Sequence, residues 1–378
     1  MTIIPVHHTQ HETTSSAPPV GGLDSVAEQF VQLVAPDGTL TRQGEAHRLD
    51  LGLARTLYRD MVLARRFDHE AMALQRQGEL GLWLMSWGQE AAQVGSIRAL
   101  RPSDMVFPSY REHAAALCRG IGPAELLAQW RGCVHGGWDP TAHRFHIYSL
   151  VLGTQTLHAT GYATGVAMEG TDEVVAVYFG DGAASQGDVN EAFNWAAAGS
   201  LPVLFFCQNN HWAISTPTSR QMRTPIHRRA AGFGVRSFHV DGNDALAVHE
   251  VTRQAAEHIR SHGGPALVEA VTYRRGGHSS SDDPDRYRAP AEVEAWEARD
   301  PVARLRTLLE EHDTDPGFFA ELQAESDAFA LTVREACRGL ADPHLRDLFA
   351  HAYAEPHPQV ERDRRDFLAH LAQAGSVV

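Results

Sequence analysis

Apolar residues recur every three or four positions between His47 and Gln77, where Leu49, Leu53, Leu57, Met61, Ala64, Phe67, Ala71 and Leu74 predict one long amphipathic helix. A second helix is expected from Gln89 to Leu100, stopped by Pro102. The period then changes. Val174 to Phe179 is an unbroken β-branched and aromatic run, the pattern of a strand covered on both faces. Gly180-Asp181-Gly182 breaks it, and Ser185 is placed to cap a following helix, with Asp188 three residues on. Val189, Ala192, Phe193, Ala196 and Ala197 keep helical spacing until Gly199 and Pro202. Further strands are expected at Val203 to Cys207, Val235 to Val240 and Ala266 to Tyr273, and further helices at Thr156 to Met168 and Asp244 to Ser261.

Strand, helix and parallel strand in succession make a right-handed crossover. The expected fold class is therefore α/β: a doubly wound, mostly parallel sheet flanked by helices, with helical additions at both ends. Four stretches follow. Residues 1–45, rich in Thr, Ser, Pro, Gly and His, read as a flexible arm; 46–130 as a helical segment; 131–300 as the α/β core; 301–378 as a helical tail at a subunit interface, opened by Leu305, Leu308 and Leu309. Gly161 and Gly165, four apart, are expected to let their helix approach a neighbour closely.

A chain of 378 residues, 43% hydrophobic, has enough apolar surface for one large domain. Its net charge of −14 argues against nucleic acid or an anionic membrane as partner. Cys118, Cys133, Cys207 and Cys337 have no C-x-x-C spacing, which reads as reduced thiols in a cytoplasm. Neither a leader pattern nor an apolar run of ~20 residues indicates export or membrane insertion.

The crossover brings Asp181 and Asn209-Asn210 out together at the carboxyl edge of the sheet, where ligands bind in such folds. A carboxylate and an amide oxygen are hard donors. Beside a helix N-terminus and glycines that admit close approach, they suit Mg²⁺ carrying a diphosphate. Arg111, in the polar run Phe107 to His113, offers a forked donor for phosphate oxygens. Arg274 to Asp283, polar, glycine-rich and following a strand at the same edge, reads as an active-site loop containing His278. Arg220, Arg223, Arg228, Arg229 and Arg236 form a basic stretch, either a solvated face or an attractor of an anionic cofactor or acidic partner. His143 and His146 are weak metal candidates, and the 22 histidines are too scattered to favour a metal-dependent hydrolase. The G-x-G-x-x-G of a dinucleotide site is missing, which argues against a non-catalytic nucleotide-binding subunit.

Six blocks in order, Y110-R-E, G180-DGAASQGD, Q208-NN, A213-ISTPTS, V240-DGND and H278-SSSDDPDRYR, carry a resemblance. The chain from about Leu49 to Leu371 resembles the alpha subunit of the decarboxylating component of branched-chain 2-oxoacid dehydrogenase complexes. The spacing of G-D-G and N-N is similar to that family's thiamine diphosphate motif. The resemblance implies a cofactor site of Tyr110, Arg111, Ser149, Leu150, Leu152, Gly180, Asp181, Gly182, Ala183, Gln208, Asn210 and His278. Mg²⁺ would be held by Asp181, Asn210 and the backbone carbonyl of Trp212, and Leu152 would prop the cofactor in its bent form. His278 would contact the diphosphate and line the substrate's route as the catalytic residue. Ser279 matches a serine phosphorylated in animal relatives.

Departures from the pattern matter. Gln208 stands where some relatives have a phosphate-contacting arginine, and Ser109 replaces a glutamine, so phosphate binding leans on Arg111 and His278. Ser149, Thr154 and Gln155 match a K⁺ site of some members, but Leu150 and Val151 replace the serine and proline often found there.

The implied reaction is decarboxylation of a 2-oxoacid followed by oxidative transfer of the acyl group to a lipoyl group on the complex's acyltransferase. The resemblance also implies an alpha2beta2 heterotetramer. The beta subunit would supply the pyrimidine-binding half, leaving the isolated chain with little or no activity. Pyruvate or acetoin dehydrogenase alpha subunits are the alternatives. The A213-ISTPTS and S279-SSDD runs favour branched-chain substrates such as 2-oxoisovalerate.

Overall fold

The computed structural model describes residues 29–343, 347–350 and 352–373. Eight strands occur among them: β1 (Phe30–Val31), β2 (Met105–Phe107), β3 (Val175–Gly180), β4 (Val203–Asn209), β5 (Trp212–Ala213), β6 (Thr216–Pro217), β7 (Arg236–Asp241) and β8 (Ala266–Val271). Six build one sheet in the order β1-β7-β8-β4-β3-β2, and every neighbouring pair is parallel. β5 and β6 form a separate antiparallel hairpin.

Successive side chains on a strand face opposite ways, and both faces here are apolar. On β3, Ala176 and Tyr178 join a core with Phe206, Val268 and residues of the helices Leu51–Arg76, Glu90–Ala99 and Ala245–His262. Val175, Val177 and Phe179 face the other way, onto the helices Thr154–Glu169 and Gly187–Ala198. The unbroken apolar run is thus the consequence of a sheet covered twice.

Several boundaries differ from expectation. The long helix begins at Leu51, because Asp50 caps it by accepting from the Leu53 N–H at 3.0 Å. Ser185 does not cap a helix. It ends a 3₁₀ turn, Ala183–Ser185, and the α-helix starts at Gly187 after Gln186. The 3₁₀ bonds Ser185 N to Gly182 O and Gln186 N to Ala183 O already satisfy that stretch.

The segment 46–130 is not wholly helical, since Met105–Phe107 pairs with β3 as an edge strand. Of the arm expected over 1–45, residues 1–28 lie outside the described residues. Phe30–Val31 instead pairs with β7, held by Asp244, whose Oδ2 accepts from the Leu33 and Val34 N–H groups at 2.7 Å. Much of the tail belongs to the core of this chain, with Leu305, Leu308, Leu309, Leu322 and Val333 buried. Asp347–Ala350 and Pro358–Gln373 bury no residue, and Phe349 meets Phe367 at 5.7 Å. Gly161 and Gly165 are exposed; a Cβ on Gly161 would come 3.8 Å from the Trp195 ring on the helix Gly187–Ala198, whereas Gly165 faces no neighbour among the described residues of this chain. A Cβ on Gly165 would meet nothing within 4 Å.

Candidate active site

All six sheet strands run the same way, so every loop that follows a strand leaves from one edge. β3 and β4 pair with Gly180 opposite Gln208. That register sets the next residues, Asp181 and the Asn209-Asn210 pair, side by side. The Asn210 N–H donates to Asp181 Oδ1 at 3.2 Å. A pocket opens there, lined by residues following β2, β3, β4 and β8, together with Gln89, Ser149, Leu152 and Gln155.

Asp181 is 1% exposed. Its Oδ2 accepts from Gln221 Nε2 at 2.9 Å and from the Thr218 hydroxyl at 3.2 Å, so its described hydrogen-bond partners are all neutral. Burial pushes its carboxyl above the usual range, against those hydrogen bonds. Asn210 donates through Nδ2 to Gln89 and accepts at Oδ1 from the Trp212 N–H, each at 3.2 Å. Gly182 is required by close approach, because a Cβ there would lie 2.7 Å from that of Ala213.

Two guanidinium groups reach the same pocket. Arg111, 5% exposed, donates to the carbonyls of Met85 at 2.5 Å and His278 at 2.9 Å. Arg274, 1% exposed, donates to the carbonyls of Trp212 and Ile214 and to the Tyr287 hydroxyl. Its Nε is buried with no partner. Burial first, and the charge of Arg111 second, push Arg274 down to about 10. Neither cation has a carboxylate among its described hydrogen-bond partners. Burial and then the two arginines push His278 down to about 4, so its ring is neutral at pH 7.

Of the residues named from sequence, Tyr110, Arg111, Ser149, Leu152, Gly180, Asp181, Gly182, Ala183, Gln208, Asn210, Trp212 and His278 line this one pocket. Leu150 does not; it is 50% exposed beside the mouth, with Val151 at 69%. Gln208 is tied into a buried network, donating to Glu112 Oε1 at 2.6 Å and accepting from Gln93 at 3.1 Å. The sequence reading missed Gln89 and Ile214 as lining residues, and Gln221 and Thr218 as partners of Asp181. Arg274 had a signal, its place at the start of the loop after β8. The glutamines had none.

His143 comes 3.8 Å from Glu125 and hydrogen-bonds the Arg119 carbonyl, while His146 stacks on Phe107. Among the described residues, neither belongs to a group of three side chains able to hold a metal. No helix of the described residues is long and apolar enough to cross a membrane.

The chain is 44% identical over 362 residues to the 3-methyl-2-oxobutanoate dehydrogenase subunit alpha of Mycobacterium tuberculosis, a match spanning 94% of this chain and 98% of that protein. It is 36% identical to the human mitochondrial 2-oxoisovalerate dehydrogenase subunit alpha, over 84% of this chain and 74% of that one. The Arabidopsis thaliana mitochondrial 2-oxoisovalerate dehydrogenase subunit alpha 2 is also 36% identical, over 85% and 70%. Residues 58–338 match the model of the dehydrogenase E1 component, and with the pocket built on that region's strand ends, the chain belongs to the dehydrogenase E1 component family.

Proposed function

We propose that this chain is the alpha subunit of a thiamine diphosphate-dependent branched-chain 2-oxoacid dehydrogenase, which holds the diphosphate half of the cofactor and works with a beta subunit. One observation carries the reading. A buried carboxylate with neutral partners and two buried guanidiniums with neutral partners share one pocket at the carboxyl edge of a parallel sheet. Buried charges are stable when paired, and a divalent cation bound to a diphosphate pairs with all three.

The donor set fits Mg²⁺. Asp181, Asn210 and the Trp212 carbonyl offer hard oxygens, and diphosphate oxygens would complete the shell. When bound, thiamine diphosphate supplies the electron sink that accepts the pair released as carbon dioxide leaves. The protein's share is positioning. Arg111 and Arg274 orient anionic oxygen, with Tyr110 beside Arg111 at 5.4 Å. His278, uncharged at pH 7, offers a neutral donor and acceptor at the pocket wall. Leu152, 42% exposed, and Ile214, 51% exposed, line the pocket and, with Leu150 and Val151, leave its surroundings apolar and open to solvent. A partner that covers them would exclude water, which supports the beta subunit and an alpha2beta2 assembly. Gln155 donates to the Tyr178 carbonyl and keeps Oε1 buried without a partner, an oxygen suited to K⁺. Transfer of the acyl group to a lipoyl group on the complex's acyltransferase and a cytoplasmic location complete the proposal.

The names of the relatives favour branched-chain substrates over pyruvate or acetoin. The test is co-expression with the product of the neighbouring gene, followed by decarboxylation assays. Turnover of 2-oxoisovalerate at least roughly 10-fold faster than of pyruvate, dependent on thiamine diphosphate, is expected. Equal or reversed preference would overturn the substrate, and full activity of the alpha chain alone would overturn the subunit role.

A further inference from the structure

The basic stretch from Arg220 to Arg236 contains a short helix, Ile226–Ala231, that packs under the pocket without lining it. Arg229 donates to the Ala184 carbonyl at 2.7 Å, just past the G-D-G turn. His227, 4% exposed, donates twice to Glu269 Oε2, through its backbone N–H at 2.9 Å and its ring Nδ1 at 2.5 Å. Glu269, 2% exposed on β8, accepts at its other oxygen from Asn209 Nδ2 at 2.7 Å. With Nδ2 so engaged, the Asn209 Oδ1 must face the following turn, where it accepts from the His211 N–H at 3.3 Å. His211 holds a left-handed backbone, φ 72, unusual for a residue with a β-carbon. It stands between Asn210 and Trp212, two of the three residues that offer oxygen to the metal.

We infer that His227 is a positioning residue: through Glu269 and Asn209 it holds the strained Asn210–Trp212 turn in the shape that binds the metal-diphosphate group. A turn with a left-handed non-glycine residue persists only when its surroundings over-determine it. Here the restraint is a hydrogen-bonded line of three side chains, each buried and each with its orientation set by the one behind it. His239, also near Glu269, supports the line from outside. Its ring stacks on that of His227 at 4.3 Å with planes 18° apart.

The same three groups, His227, His239 and Glu269, lie close enough to suggest a metal centre of their own. Their geometry points away from one. Ring lone pairs lie in the ring plane, so two nearly parallel stacked imidazoles do not aim at one point. Glu269 Oε2 is also already engaged by both His227 donors.

The inference rests on the proposed cofactor role of the pocket, and the test separates the two. Mg²⁺-dependent thiamine diphosphate binding is measured by calorimetry on the assembled alpha–beta enzyme for wild type, His227→Asn and His227→Gln. Asparagine places an amide donor near the position of Nδ1; glutamine places its polar end near Nε2 and away from Glu269. Removing support behind a metal ligand typically costs 10- to 100-fold in affinity. We expect His227→Gln to raise the cofactor Kd by roughly 10-fold or more, with kcat at saturating cofactor within about twofold of wild type. His227→Asn is expected to stay within about threefold of wild type in Kd. If both variants bind like wild type, or both weaken alike, His227 does not position the turn. Absence of Mg²⁺-dependent binding in wild type would instead overturn the cofactor reading itself.

Discussion

The Asn210 backbone N–H and the Asp181 carboxylate meet at 3.2 Å across the ends of two neighbouring parallel strands. The contact joins two residues 29 apart in sequence, and it exists because Gly180 and Gln208 are register partners. It leaves the second Asp181 oxygen to Gln221 and Thr218, neutral donors that a cation can displace.

Asp181→Ala should therefore abolish the metal-dependent part of cofactor binding. Calorimetry on the assembled enzyme is expected to show thiamine diphosphate affinity reduced by at least roughly 100-fold and no longer responsive to Mg²⁺. Unchanged affinity would remove Asp181 from the site.

His278 should not titrate in the neutral range. Its pKa is pushed down to about 4, so the ring is uncharged from there upward. Histidine NMR of the cofactor-free chain is expected to show no His278 transition between pH 6 and 8, while His278→Ala loses roughly 10²- to 10⁴-fold in kcat/KM of the assembled enzyme. A His278 transition near pH 6.5 in the cofactor-free chain would contradict the neutral ring.

Asp68 sets a pH dependence of stability. It is buried in the long helix, accepts from Trp83 Nε1 at 2.7 Å, and has its other oxygen unpaired. Burial raises its pKa from 3.8 to about 7. A raised acid favours the protonated folded state, so stability falls as pH climbs between those two values. At about 1.4 kcal/mol per pH unit, the loss amounts to a few kcal/mol. Denaturant unfolding at pH 5 and pH 8 is expected to show wild type less stable at pH 8. Asp68→Asn should reduce that difference, and an equal difference in both proteins would clear Asp68 of it.

Val151, 69% exposed, is expected to lie under the beta subunit. Val151→Asp should leave the circular dichroism and melting temperature of the alpha chain unchanged, because the side chain reaches solvent. Co-purification with the beta subunit should fall by roughly 10-fold, since a charge at the centre of an apolar contact is costly. Undiminished assembly would place the interface elsewhere.

Much of the fold was legible along the chain. The doubly covered strands announce themselves as unbroken apolar runs, Val174 to Phe179 above all, and the glycines, prolines and helical stripes between them mark the crossovers. The short elements were not legible. Phe30–Val31 and Met105–Phe107 carry no period in two or three residues, and they become strands only because β7 and β3 offer open edges. Ser185 has the composition of a cap, yet the chain leaving Gly182 already turns in a 3₁₀ path.

The candidate site divides in the same way. Sequence by itself determined the family resemblance and named the carboxylate, amides, arginine and histidine that the structure brings to one pocket: Asp181 and Asn210 through the spacing of the strand–helix–strand repeat, Arg111 and His278 through the polar segments that carry the resemblance. Only the tertiary structure decided that Arg274 stands buried in the pocket, that Gln221 and Thr218 hold Asp181, and that His227 reaches Asn209 through Glu269. Those contacts join residues whose separation along the chain follows no period. They depend on the depth of burial and the strand register that packing imposes, and no local pattern of residues encodes either.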